Sequence, residues 1–190
     1  MRITAGIARG REIVCPPGLE ARPTASKIRQ AFFNILRNKV EDARFLDLFA
    51  GSGLMGLEAL SRGAADLVAI DESRLMVKTI EENLLRLNFT AQVIQADVRR
   101  FLDQFPKNSF DIIFADPPYK SRLAESVLHS VARHAILHKD GILAIEHARE
   151  FKLPEESGNL INYDHRDYGQ TSVTFYKHAT AERKIAIEQS

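Results

Sequence analysis

Between positions 45 and 146 the apolar residues come in short unbroken runs, separated by stretches of helical period. Runs of that kind are strands buried on both faces, and the stretches between them are the helices that cover those faces. The strand-like runs are 44–49, 66–71, 91–96, 110–115 and 141–146. Helical patterning occupies Gly53 to about Arg62, 73–87, a short stretch at 98–104, and 121–134. After that the pattern becomes antiparallel in kind: 159–168 and 171–178, with Gly169 between them, predict a hairpin. Upstream, 2–6 and 11–15 predict two short strands, ended by Pro16-Pro17-Gly18. A helix over about 26–40 follows, with Ile28, Ala31, Phe32, Ile35 and Leu36 as its apolar stripe and Thr24 or Ser26 as its cap. The expected architecture is α/β: a mostly parallel seven-stranded sheet with an antiparallel C-terminal edge, preceded by a small β-hairpin and helix.

Composition narrows the setting. A chain of 190 residues that is 45% apolar can bury a substantial core as one domain. We divide it into a basic N-terminal extension (1–40), a catalytic domain (41–178) and a polar tail (179–190). No apolar stretch reaches the length of a membrane span, and the first residues carry no secretory apolar core. The single cysteine, Cys15, and six scattered histidines provide no metal-ligand spacing. A monomer in a reducing cytoplasm, without metal or membrane, is the expectation. Charge adds one feature. Residues 1–40 hold eight basic side chains against Glu12 and Glu20, a net +6 that leaves −5 for the rest of a chain whose total is +1. Such asymmetry predicts that the extension meets a polyanion, with Arg9, Arg11, Arg22, Lys27 and Arg29 as the contacts.

The first motif is 47–56, Asp47-Leu48-Phe49-Ala50-Gly51-Ser52-Gly53-Leu54-Met55-Gly56. Its glycine spacing is weak evidence alone, but it lies between a strand and a helix, where a nucleoside cofactor binds. Gly51 and Gly53 let backbone approach a ligand, with Phe49 and Ser52 beside them. Asp71 ends the next strand, about twenty residues on, where a carboxylate holds ribose hydroxyls, and Glu72 follows it. Asp97 ends the third, placed for an adenine amino group together with the Val98 amide. Each acid also suits a helix N-cap. Asp47 at the loop mouth would repel a pyrophosphate but attract an ammonium, which favours S-adenosylmethionine (AdoMet) over a dinucleotide.

The second motif is Asp116-Pro117-Pro118-Tyr119, directly after the strand 110–115. An exocyclic amine on a nucleobase is a poor nucleophile, because its lone pair is delocalised into the ring. Asp116 and the Pro117 carbonyl can each accept one N–H and so favour a pyramidal nitrogen. Pro117 and Pro118 stiffen the turn, and Tyr119 offers a stacking platform. Asp116 can also take the surplus proton. A base inside a duplex cannot reach such a pocket, so the target is unpaired or flipped.

These residues resemble the bacterial small-subunit rRNA guanine-N2 methyltransferases of the RsmD type. The resemblance is carried by the loop 47–53 with Gly56, by Glu58-Ala59 and Ser61-Arg62-Gly63-Ala64, and by the tetrapeptide. Arg22-Pro23-Thr24, Ile28-Arg29, Ala31 and Phe33-Asn34-Ile35-Leu36 match the family's first helix. Arg2-Ile3, Ala5-Gly6 and Arg9-Gly10-Arg11 match its opening hairpin, and Tyr168-Gly169 with Thr171 its closing one. The family implies a Rossmann-like class I methyltransferase fold, AdoMet as donor and a guanine of 16S rRNA as acceptor. It also implies the small ribosomal subunit, or an assembly intermediate, as the substrate. Ala25-Ser26-Lys27 departs from the family's polar–acid–arginine pattern; Lys27 keeps charge without the guanidinium fork. Other readings are a DNA adenine-N6 methyltransferase, a nicotinamide oxidoreductase resting on the glycines alone, and a non-catalytic RNA-binding assembly factor. Glu146 ends the fifth strand, where either the cleft or the surface is open to it. The histidines at 129, 134, 138 and 147 read as structural.

Overall fold

The computed structural model describes residues 1–16, 23–118 and 122–179, with side chains in the first helix from Ser26 onward. Arg22, Tyr119 and the tail beyond Ala179 lie outside the described residues. One eight-stranded sheet organises the chain. Its strands are β1 (Arg44–Leu48), β2 (Asp66–Asp71), β3 (Gln92–Gln95), β4 (Phe110–Ala115), β5 (Leu137–Ala148), β6 (Glu156–Ser157), β7 (Leu160–Tyr168) and β8 (Thr171–His178). They stand in the order β3-β2-β1-β4-β5-β8-β7-β6. The first five pair in parallel and the last three antiparallel. The two-residue β6 makes the count eight rather than seven; two residues are too few for any period to register.

The helices are α1 (Pro23–Leu36), α2 (Leu54–Ser61), α3 (Arg74–Leu87), α4 (Val98–Phe101) and α5 (Leu123–His134). Odd and even positions of each strand divide between two cores. Leu46, Leu48, Ile113, Ala115 and Ile145 pack under α4 and α5. Phe45, Ile112, Phe114 and Ala144 pack under α1 and Ala59 of α2, while α3 and the N-terminal segment cover Ala69. Burial on both faces is why these strands read as continuous apolar runs.

Three local expectations are corrected. The N-terminal hairpin pairs through one antiparallel bridge, Arg2 to Glu12, with backbone bonds from the Ile3 N–H to the Arg11 carbonyl, the Gly10 N–H to the Ile3 carbonyl and the Ile13 N–H to the Met1 carbonyl, so it is too short to count as two regular strands. Its Gly6, at φ 78°, presses so closely on α2 that a Cβ would lie 1.6 Å from the Ser61 carbonyl oxygen. β5 starts at Leu137, four residues early, because Leu137 already pairs with Phe110 before the register shift to Ile142. α1 begins at Pro23, ahead of both expected caps, with proline at the first helical position. Its buried face is also rotated. Arg29, Phe32, Phe33 and Leu36 are buried with Ile28, whereas Ala31 and Ile35 are only half-buried. A 3-10 turn over Arg37–Val40 returns α1 directly into β1, so α1 runs back across the sheet from its carboxyl edge.

Candidate active site

The strand order reverses between β1 and β4, the point at which open α/β sheets bind ligands beyond the strand ends. Leu48 pairs with Ala115, and the Asp116 N–H donates to the Leu48 carbonyl at 3.3 Å. The glycine loop after β1 and the tetrapeptide after β4 therefore leave the sheet side by side.

The loop is built for close approach. Phe49, Gly51 and Gly53 have φ of 60°, 54° and 78°, and a Cβ on Gly51 would meet nothing within 4 Å. Its backbone is tied from below. The Gly51 N–H donates to Asp71 Oδ2 at 2.9 Å, while Asp71 Oδ1 accepts from the Ser73 N–H at 2.8 Å. Asp47 lies on β1 beneath the start of α2 and accepts the Gly56 N–H at 2.9 Å. Burial pushes its carboxyl up to about 7, and its charged neighbour is another acid, Asp71. A buried acid so placed fits the arrival of a cation. Ser52 is half-buried and Glu72 exposed. Asp97 caps α4 through the Arg99 N–H and pairs with the Arg99 guanidinium at 2.6 Å, which holds its carboxyl below the usual range. Val98 behind it is buried.

Sequence reasoning missed Asn83. From α3 its amide donates to the Ser52 carbonyl at 3.1 Å and the Val14 carbonyl at 3.0 Å, and its Oδ1 accepts the Val14 N–H. It thereby fixes the glycine loop to the N-terminal arm. A polar residue on the apolar stripe of Met76, Ile80, Leu84 and Leu87 was the available signal.

At the acceptor side, Pro117 is buried and Asp116 exposed. Solvent touches the Asp116 carboxyl, yet it sits deep in the protein mass beside other acids. Desolvation, then Glu146, then Asp47 raise it well above the usual carboxylate range. Glu146 is buried, which takes it off the surface.

The basic extension divides in two. Arg9 and Lys27 are exposed. Arg11 is exposed but turned back, donating to the Arg86 and Leu87 carbonyls at the end of α3. Arg29 corrects the expectation of an RNA contact. It is 4% exposed, with Nε 3.6 Å from the buried Glu58 and Nη2 donating to the Arg2 carbonyl. Burial lowers its guanidinium from the usual value, and no phosphate can reach it. Glu58 also accepts from the Thr4 N–H at 2.8 Å, the Thr4 hydroxyl, the Ala5 N–H at 3.1 Å and Arg62 Nε at 3.0 Å. Among the described residues no cluster of His, Cys, Asp and Glu could hold a metal, and no helix is long and apolar enough to cross a membrane.

Known proteins share this arrangement. The family model described as conserved hypothetical protein 95 matches residues 1–177. The Escherichia coli ribosomal RNA small subunit methyltransferase D is 33% identical over 93% of this chain and 89% of its own. YlbH of Bacillus subtilis, which carries an rRNA methyltransferase name, is 38% identical over 93% and 98%. Among solved structures, yhhF of Escherichia coli, named as a methyltransferase, superposes with a TM-score of 0.83 at 31% identity, covering 95% and 98%. A Thermus thermophilus 16S rRNA N2 methyltransferase solved with AdoMet and guanosine shares the fold, with a TM-score of 0.71 at 21% identity over 86% of this chain and 45% of that one.

Proposed function

The chain belongs to the RsmD-type family of rRNA methyltransferases, and we propose that it transfers a methyl group from AdoMet to the exocyclic N2 of one guanine in 16S rRNA. The observation that carries this reading is the adjacency of β1 and β4, sealed by the Asp116-to-Leu48 hydrogen bond. It brings a loop for the donor and a tetrapeptide for an amine to one edge.

AdoMet supplies a methyl group activated by its sulfonium. The open face of Gly51 and the uncompensated Asp47 fit such a ligand, Asp47 toward its ammonium and Asp71 toward its ribose. Asp97 and Val98 border the adenine side. Asp116 and the Pro117 carbonyl accept the two N2 protons, which directs the nitrogen lone pair outward. AdoMet, when bound, would supply the methyl group to that nitrogen with the sulfonium sulfur as leaving group, which balances the transfer. The surplus N2 proton passes to Asp116, whose raised affinity for protons suits that role. Holding amine and methyl in line contributes up to roughly 7–11 kcal/mol, more than acid–base help of about 10²–10⁴-fold. Tyr119 is assigned to stacking on the base, and Arg9 and Lys27 to phosphate.

Small-subunit particles from cells lacking this protein should accept one methyl on a guanine, identified by mass mapping. Asp116→Ala should lose at least about a hundredfold in turnover while AdoMet affinity stays within a few fold. Methyl on an adenine of duplex DNA, or full turnover by the variant, would overturn the reading.

A further inference from the structure

We propose that Glu146 reads the target base, accepting the ring N1–H of guanine beside the amine held at Asp116, and so sets guanine apart from other amino-bearing purines. The inference rests on the guanine-N2 reading above and adds the residue that enforces it.

Register is the first observation. Ala115 pairs with Ile145 in the parallel ladder of β4 and β5, so Asp116, the first residue past β4, comes beside Glu146 of β5. Strand spacing is about 4.8 Å, and residues at matched positions share a face. Phe114 and Ala144, two positions back, both pack in the core under α1. Glu146 therefore stands on that side of β5, next to the turn that Asp116 opens. The second observation is enclosure. Glu146 is 8% exposed and lines a niche with Pro117, Pro118, His147 and Phe151, directly against the tetrapeptide. Val173 lies opposite it on β8, an apolar wall on its outer side. The third is electrostatic proximity: Glu146 is the strongest charged influence on Asp116.

Two carboxylates side by side present acceptors to a pair of adjacent donors. Guanine has that edge, with N1–H next to N2–H₂. Adenine and 2-aminopurine carry an amine next to a ring nitrogen that is itself an acceptor, which would face a carboxylate lone pair to lone pair. A site built to hydrogen-bond a donor rejects analogues lacking it, because its own buried groups lose their partner. An acceptor at N1–H also pushes electron density into the ring, returning lone-pair character to N2. Glu146 thus acts at the same moment on recognition and on nucleophilicity.

The test uses the full chain and small-subunit particles reconstituted with either guanine or 2-aminopurine at the accepting position. Wild type should favour guanine by at least tenfold in kcat/KM. Glu146→Gln should lose at least tenfold on guanine and gain on 2-aminopurine, since its amide N–H can donate to the ring nitrogen. Glu146→Ala should bring the ratio near unity without that gain, and AdoMet Kd should stay within twofold for both variants. A guanine to 2-aminopurine ratio unchanged in both variants would overturn this inference alone, leaving the transferase reading intact. Methylation by wild type at a base other than guanine would overturn both.

Discussion

Two groups of acids sit at opposite ends of one electrostatic strategy. Glu58, fully buried in α2, is surrounded by donors: two guanidiniums, two backbone amides and a hydroxyl. Asp47 of β1 and Asp116 after β4 have acids as their charged neighbours instead, Asp71 for the first and Glu146 with Asp47 for the second. The first group is complete within the chain and fastens the N-terminal arm to the core. The second is left with excess negative charge, which suits an ammonium on one side and amine protons on the other. Buried charge compensated within the chain holds the fold, whereas an acid whose charged neighbours are acids marks a candidate ligand site.

The difference can be broken at its strongest point first. Glu58→Ala removes a shared acceptor and strands the buried Arg29 guanidinium, so we expect a loss of about 3–5 kcal/mol in urea unfolding. A loss below about 1 kcal/mol would mean that the arm is not anchored there. Next, Asp47 binds a proton in the folded state up to about 7, whereas an ordinary Asp releases it near 3.8. Between those values the folded state holds more protons than the unfolded one, so Asp47 lowers stability as pH rises, then levels off above about 7. Across that interval the change should reach about 3–4 kcal/mol, and Asp47→Asn should flatten it. Saturating AdoMet should flatten it too, because its ammonium favours the ionised acid; unfolding at pH 5 and 7.5, with and without AdoMet, checks both. The smallest effect separates true surface cations from the buried one. Replacing Arg9 and Lys27 together by Ala should reduce the salt slope of RNA binding by about two units. Arg29→Ala should leave that slope unchanged and lower stability instead.

Much of this was legible. Parallel strands buried on both faces leave unbroken apolar runs, so β1, β2 and β4 read within a residue or two. The glycine loop was legible as a turn between strand and helix, which the structure places between β1 and α2. Arg29 was misread because charge was counted without its helical position. It lies four residues before Phe33 and seven before Leu36, on the face that packs inward. Asn83 and Glu58 carried a similar mark, a polar residue on an apolar stripe, that points to burial but not to a partner. Those partners, Ser52 and Val14 for one and Thr4 and Arg29 for the other, are distant along the chain.

By itself the chain determined its alternation of strands and helices and the glycine-rich turn between β1 and α2, since these follow from local period and from residue chemistry. Only the tertiary structure decided that β1 and β4 are neighbours, that Glu146 comes beside Asp116, and which arginines remain in water. Each of those depends on strand order and packing between segments far apart, where no local period exists to be read.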